Sequence, residues 1–291
     1  MMKIAIEPSG RSEFESAVMA ADCEVAPLTP EVKALIWTDY SRPELLRQTL
    51  DANPQLEWVQ LPFAGVDAFA DLLTRHPVFT SAKAAYSEPV AEHALALMLA
   101  LGRAIPERVR AKSWGEKFAV SLYESKVLVV GAGGIAQELV KLLEPFGTEV
   151  VLCRRGEHEK LLKELPAANF VVLACALTGE TRNLFDREML GLMRKDAYLV
   201  NVARGGVVVT EDLVEALNNG VIAGAGVDVT MPEPLPDGHP LWEAKNCIIT
   251  PHTADTEKQV VRLFAERIEV NAKAYAAGSD FIGVVDKELG Y

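Results

Sequence analysis

Residues 126–136 read KVLVVGAGGIA, and QELVKLL follows directly at 137–143. An apolar strand runs without a break into Gly131-Ala132-Gly133-Gly134-Ile135-Ala136, which fits G-x-G-x-x-G/A, and a helical pattern opens out of it. Gly131 permits the tight turn, and Gly133 lets the backbone approach a pyrophosphate. Ala136 is small enough for the helix to pack close to the strand, while the first helical amides face the phosphates. A glycine-rich turn in this strand–turn–helix setting predicts a dinucleotide site at Gly131, Gly133, Gly134, Ile135 and Ala136.

The same alternation of apolar run and helical stretch extends in both directions. Downstream come EVVLCRR, FVVLACAL, AYLVNVA, GAGVDV and CIITPH, separated by helical segments such as REMLGLM and EDLVEALNN. Upstream, KIAIE, ALIWTD, WVQLP and VFTSA are four further candidate strands. This texture predicts an α/β protein with two doubly wound parallel-sheet lobes. One is a Rossmann dinucleotide-binding domain at 96–258, and the other a flavodoxin-like substrate domain at 1–95 plus 259–291. A long amphipathic helix from Pro89 to about Arg110 crosses the first boundary, and the helix TEKQVVRLFAERIEVNAKAYAAG closes the chain, with Gly278 placed to stop it.

The strand after the glycine turn ends in Arg154-Arg155. In the dinucleotide fold that position usually carries an acid that bonds the adenine ribose hydroxyls. A carboxylate repels a 2′-phosphate, whereas a guanidinium fork suits one. The pair therefore predicts NADP(H) as preferred cofactor, with NAD(H) possible.

Composition narrows the function classes. A net charge of −12 argues against nucleic-acid and anionic-membrane partners. The longest apolar run, AEHALALMLALG, is too short to span a bilayer, and MMKIAIEPSG reads as a first strand rather than a signal peptide. Cys23, Cys153, Cys175 and Cys247 form no metal-ligand or CxxC spacing, so no metal site is expected and a cytoplasmic location is.

Arg204 in NVARGG, Glu233 in DVTMPEPLP and His252 in TPHTA lie at or near the ends of late strands, where active sites of open α/β sheets gather. Reduction of a 2-keto acid needs a cation for the carboxylate, an acid for the carbonyl oxygen, and a partner that orients that acid. Arginine, histidine and glutamate meet these needs in that order.

With VAEHALALML, KVLVVGAGGIA, LACALTGETRNLF, LVNVARGGVV, GAGVDVTMPEPLPDGHPLW and NCIITPHTA in this order, the chain resembles the D-isomer-specific 2-hydroxyacid dehydrogenases over nearly its whole length. The resemblance implies that Arg204 binds the substrate carboxylate and carbonyl, that His252 is the general acid and base, and that Glu233 supports the imidazole. It also implies that Asp228 bonds the nicotinamide carboxamide. The amides of Ala64 and Gly65 in PFAGVD would hold the substrate carboxylate, and the turn bearing Ala176 and Thr178 would line the cofactor site. Ala176 replaces the family's usual proline, and Ser81, Ala84 and Ala254 also depart from its pattern. The function so implied is NAD(P)H-dependent reduction of a small 2-keto acid, such as glyoxylate or hydroxypyruvate, in a homodimer built on the 89–110 helix. The alternatives are a non-catalytic, corepressor-like dinucleotide sensor and a phosphoglycerate dehydrogenase-like enzyme.

Overall fold

The computed structural model describes residues 1–73, 76–116 and 118–287. Its contacts divide the chain into two compact units, 1–86 with 256–291, and 87–255. The expected crossings at 95/96 and 258/259 fall inside helices α3 (Ser87–Gly102) and α9 (Glu257–Ala277), each of which belongs whole to one unit. The terminal residues 288–291, counted with the expected substrate domain, lie outside the described residues.

The first unit holds a parallel sheet in the order β2-β1-β3-β4-β5, formed by β1 (Lys3–Glu7), β2 (Glu24–Val25), β3 (Ala34–Trp37), β4 (Trp58–Gln60) and β5 (Val78–Thr80). This is the flavodoxin-like strand order. The two-residue β2 is an addition to the four strands expected from the sequence. Helices α1 (Ser12–Met19), α2 (Pro43–Ala52) and α9 cover the sheet. Phe14 of α1 meets Phe264 of α9 edge to face at 5.2 Å. A capping box between Thr256 and Gln259 starts α9, and Gly278 ends it in a left-handed conformation (φ 64°).

The second unit holds β6 (Lys126–Val130), β7 (Glu149–Cys153), β8 (Phe170–Leu173), β9 (Tyr198–Asn201), β10 (Gly224–Val227) and β11 (Cys247–Ile249). They form one parallel sheet in the order β7-β6-β8-β9-β10-β11. Alternate residues of each strand feed two separate cores. Val127, Val129 and Val172 pack with α3 and α5 (Gly134–Leu143), through Ala94, Met98 and Leu139. Leu128, Val171 and Leu199 pack on the other face, against Leu161, Leu190 and Leu213 of α6 (His158–Glu164), α7 (Arg187–Leu192) and α8 (Thr210–Asn218). Apolar residues on both faces explain why these strands read as unbroken Val/Leu runs. Because β6 lies between β7 and β8, the helices leaving its two sides diverge and open a crevice at its carboxyl end.

The helix expected from Pro89 to Arg110 is two helices. It breaks after Gly102, Ala104 takes a left-handed conformation (φ 50°), and α4 (Ile105–Arg110) sets off anew. Pro106 has no N–H for the Gly102 carbonyl four residues before it, and that carbonyl accepts from the Val120 amide at 2.7 Å instead.

Candidate active site

The glycine turn leaves β6 at the reversal in strand order. Gly131 has φ 124°, and a Cβ there would overlap the Ala174 carbonyl just past β8, so only glycine fits. At Gly133, the N-cap of α5, a Cβ would meet nothing within 4 Å. The turn thus presents open space in front of the first amides of a ten-residue helix, a setting that fits a dinucleotide pyrophosphate. Gly134, Ile135 and Ala136 form the opening of that helix, and Ala136 is fully buried.

Arg154 and Arg155 follow β7 and are exposed, but they are not equivalent. Arg155 donates from Nε and Nη2 to the two carboxylate oxygens of Glu180, at 3.0 and 2.9 Å. Glu180 sits in the turn after β8, which Thr181 shapes by donating to the Ala176 carbonyl (2.6 Å) and accepting from the Thr178 amide (2.8 Å). Glu180 was not singled out from the sequence, because the 25 residues separating it from Arg155 are closed only by the sheet.

At the far side of the sheet Asn201, buried at the end of β9, clamps the next turn. Its Oδ1 accepts from the Ala203 amide and its Nδ2 donates to the Arg204 carbonyl, both at 3.0 Å. Gly205 then runs so close to Thr230 that a Cβ would fall on the Thr230 carbonyl. That approach draws the Arg204 turn against the 230–233 turn, in which the Thr230 hydroxyl donates to the Pro232 carbonyl at 2.8 Å.

Glu233 Oε1 lies 2.6 Å from His252 Nδ1, and its Oε2 faces the Thr230 amide at 3.4 Å. The hydrogen bond to Glu233 raises the His252 pKa above the usual 6.5, against the opposing effects of burial and of Arg204. The reciprocal bond from His252 holds Glu233 below the usual 4.5. A raised histidine pKa extends the protonated form to higher pH. The imidazolium is therefore lost only as pH climbs through that raised value. In the Glu233→Gln variant the His252 ring should lose its proton at lower pH, as read by NMR titration of the imidazole, and an unmoved titration would contradict the role of this contact.

Asp228 follows β10 and is 2% exposed. Its Oδ1 accepts from the Thr250 hydroxyl (2.6 Å) and the Thr253 amide (2.9 Å), and its Oδ2 from the Ala254 amide (3.2 Å). Burial pushes its carboxyl up, but hydrogen bonds from His93, Thr250 and Thr253 outweigh burial and keep it below the usual 3.8. The second unit thus brings Glu233 and His252 into contact, with the charge of Arg204 acting on both and the Asp228 carbonyl accepting the His252 amide. Ala64 and Gly65 belong to the first unit, in the loop after β4.

Residues 95–254 match the family described as D-isomer specific 2-hydroxyacid dehydrogenase, NAD binding domain. The chain belongs to this family. It is an oxidoreductase whose second unit is an NAD(P)-binding domain. A glyoxylate reductase of Thermofilum pendens is 30% identical over 305 residues, covering 97% of this chain and 86% of that one. A glyoxylate reductase/hydroxypyruvate reductase of Mus musculus is 35% identical over 57% of each chain. Among solved structures, a D-isomer specific 2-hydroxyacid dehydrogenase of Xanthobacter autotrophicus in complex with NADPH and MES superposes with a TM-score of 0.86 at 28% identity, over 100% of this chain and 99% of that one. Among the described residues, no helix is long and apolar enough to cross a membrane.

Proposed function

We propose that the chain is an NADPH-preferring reductase that converts small 2-keto acids, glyoxylate and hydroxypyruvate foremost, to D-2-hydroxy acids. The 2.6 Å contact of His252 Nδ1 with Glu233 Oε1, under the charge of Arg204, carries this reading. In the imidazolium both ring nitrogens bear hydrogen. Nδ1–H is given to Glu233, so Nε2–H is the proton offered to the substrate carbonyl oxygen. Arg204 offers a planar fork to the carboxylate beside that carbonyl. The reduced nicotinamide, when bound, supplies the hydride to the carbonyl carbon. Gly131 to Ala136 would hold its pyrophosphate, with Ala176 and Thr178 along the neighbouring turn. The names of the Thermofilum and Mus relatives support a small keto acid as substrate.

The test is NADPH oxidation followed spectrophotometrically with glyoxylate, hydroxypyruvate, pyruvate and phenylpyruvate. Turnover fastest with glyoxylate and hydroxypyruvate supports the proposal. Cofactor binding without turnover of any of them points to a sensor instead.

The preference for NADPH rests on Arg154 and Arg155. Replacing both by alanine should lower kcat/KM for NADPH by about 10–100-fold, the scale of charged hydrogen bonds to a phosphate, with NADH use nearly unchanged. Equal losses with both cofactors would remove the phosphate-reading role.

We further propose a homodimer. The apolar residues of α3 are largely consumed within the unit, as Ala91, Ala94, Leu97, Met98 and Leu101 are buried. Exposed apolar side chains follow in the next segment, where Val109 is 77% and Trp114 95% exposed, with Ile105, Phe118 and Tyr123 also open to solvent. A segment with this many exposed apolar side chains suits a second copy of the chain. Sedimentation at about twice the chain mass supports it, and a single species of 31.7 kDa overturns it.

A further inference from the structure

His93 stands in the second turn of α3, its side chain 19% exposed, and has no part in the chemistry described so far. Its Nε2 lies 2.9 Å from Thr250 Oγ1 and 3.3 Å from Asp228 Oδ1. The Thr250 hydroxyl has one hydrogen, and its 2.6 Å contact to the Asp228 carboxylate, which only accepts, takes that hydrogen. Thr250 therefore meets His93 as an acceptor, and Nε2 must carry the proton in the neutral and the charged ring alike.

What this donor holds in place is the turn of the proposed acid. Asp228 accepts from three successive amides. Its backbone carbonyl takes His252 N at 2.8 Å, and its carboxylate takes Thr253 N at 2.9 Å and Ala254 N at 3.2 Å. His252 itself has φ 52°, a left-handed conformation that a residue with a side chain keeps only where its surroundings impose it. Those surroundings are Asp228 and the Thr250 carbonyl, which shares the His252 amide at 3.0 Å, and the side chains bonded to the Asp228 carboxylate include Thr250 and His93. The chain of bonds runs from α3, through the end of β11, to the ring that faces Glu233.

We propose that His93 is a positioning residue for catalysis: through Thr250 and Asp228 its Nε2–H holds the 252–254 turn so that the His252 imidazole stays aimed at Glu233. The inference rests on His252 being the acid–base group, and the test separates the two. In the full chain, His93→Leu and His93→Gln are each made in the wild-type and the His252→Ala background, and kcat and KM for keto-acid reduction are measured with cofactor Kd. The leucine variant should lower kcat about 10–100-fold with cofactor Kd within about threefold, the loss expected when an acid is misplaced by a fraction of an ångström to one ångström. Glutamine extends an amide donor to the Nε2 position and should restore most of the rate. In the His252→Ala background the leucine change should cost nothing further, because there is no imidazole left to aim. An equal loss in both backgrounds, or no recovery with glutamine, overturns the positioning role. Near-wild-type turnover of His252→Ala alone overturns the acid–base reading instead. If the leucine variant does not fold, Thr250→Val removes the link from the other side and should give the same background-dependent loss.

Discussion

Replacing His252 by alanine should lower kcat for keto-acid reduction by roughly 10²–10⁴-fold, the range a positioned proton donor contributes, while dinucleotide binding changes only a few-fold. The asymmetry follows from where the ring sits. The imidazole projects from the 252–254 turn at the carboxyl end of the sheet, bonded through Nδ1 to Glu233 at 2.6 Å, whereas the glycine turn is built from β6 and α5. The substitution also leaves Glu233 without its partner, but Glu233 keeps partial access to solvent, at 38% of its side chain, and so can rehydrate rather than unfold the turn. Stopped-flow measurement of a single turnover separates loss of the chemical step from slower product release. Retention of wild-type turnover would remove His252 from the reaction.

Much of this arrangement is legible in the residues themselves. The inner strands of the second unit are readable because they are buried on both faces, so β6, β8 and β9 are mostly Val and Leu. The glycine turn is readable because its strand–turn–helix setting is contiguous in the sequence, although the clash that demands glycine at 131 comes from Ala174, just past β8. Other features depend on pairings that sequence distance hides. β2 is only two residues long, below any periodicity. The break between α3 and α4 is set by Pro106 together with Val120, which takes over the Gly102 carbonyl. His93 reads as an ordinary polar residue within an apolar helix, and only the return of β11 beside α3 brings Thr250 to its Nε2. The Arg155–Glu180 pair hides in the same way. The sequence shows two exposed arginines, but the sheet order gives one of them a bidentate partner and so makes the two unequal.

The second large effect separates architecture from chemistry by making one substitution in two places. Gly205→Ala should be strongly destabilising, at about 3 kcal/mol or more, and should lose activity out of proportion to the loss in Tm. The added Cβ would coincide with the Thr230 carbonyl, and backbone, unlike a flexible side chain, has no other rotamer to adopt. The Arg204 turn and the 230–233 turn must then part. These turns carry the guanidinium and the carboxylate, so any surviving fold has Arg204 and Glu233 displaced from each other. Gly133→Ala meets the opposite situation. Its backbone, at φ −77° and ψ −167°, suits alanine, and nothing lies within 4 Å of the new methyl group. Tm should therefore hold within about one degree, while KM for the dinucleotide rises about tenfold or more as the methyl enters the space assigned to the pyrophosphate. Thermal melts and cofactor titrations of the two variants read the contrast directly. Should Gly133→Ala bind NADPH as tightly as the parent, the phosphates do not lie against that turn. Should Gly205→Ala melt with the parent, the close approach to Thr230 is not what holds the arginine and the glutamate together.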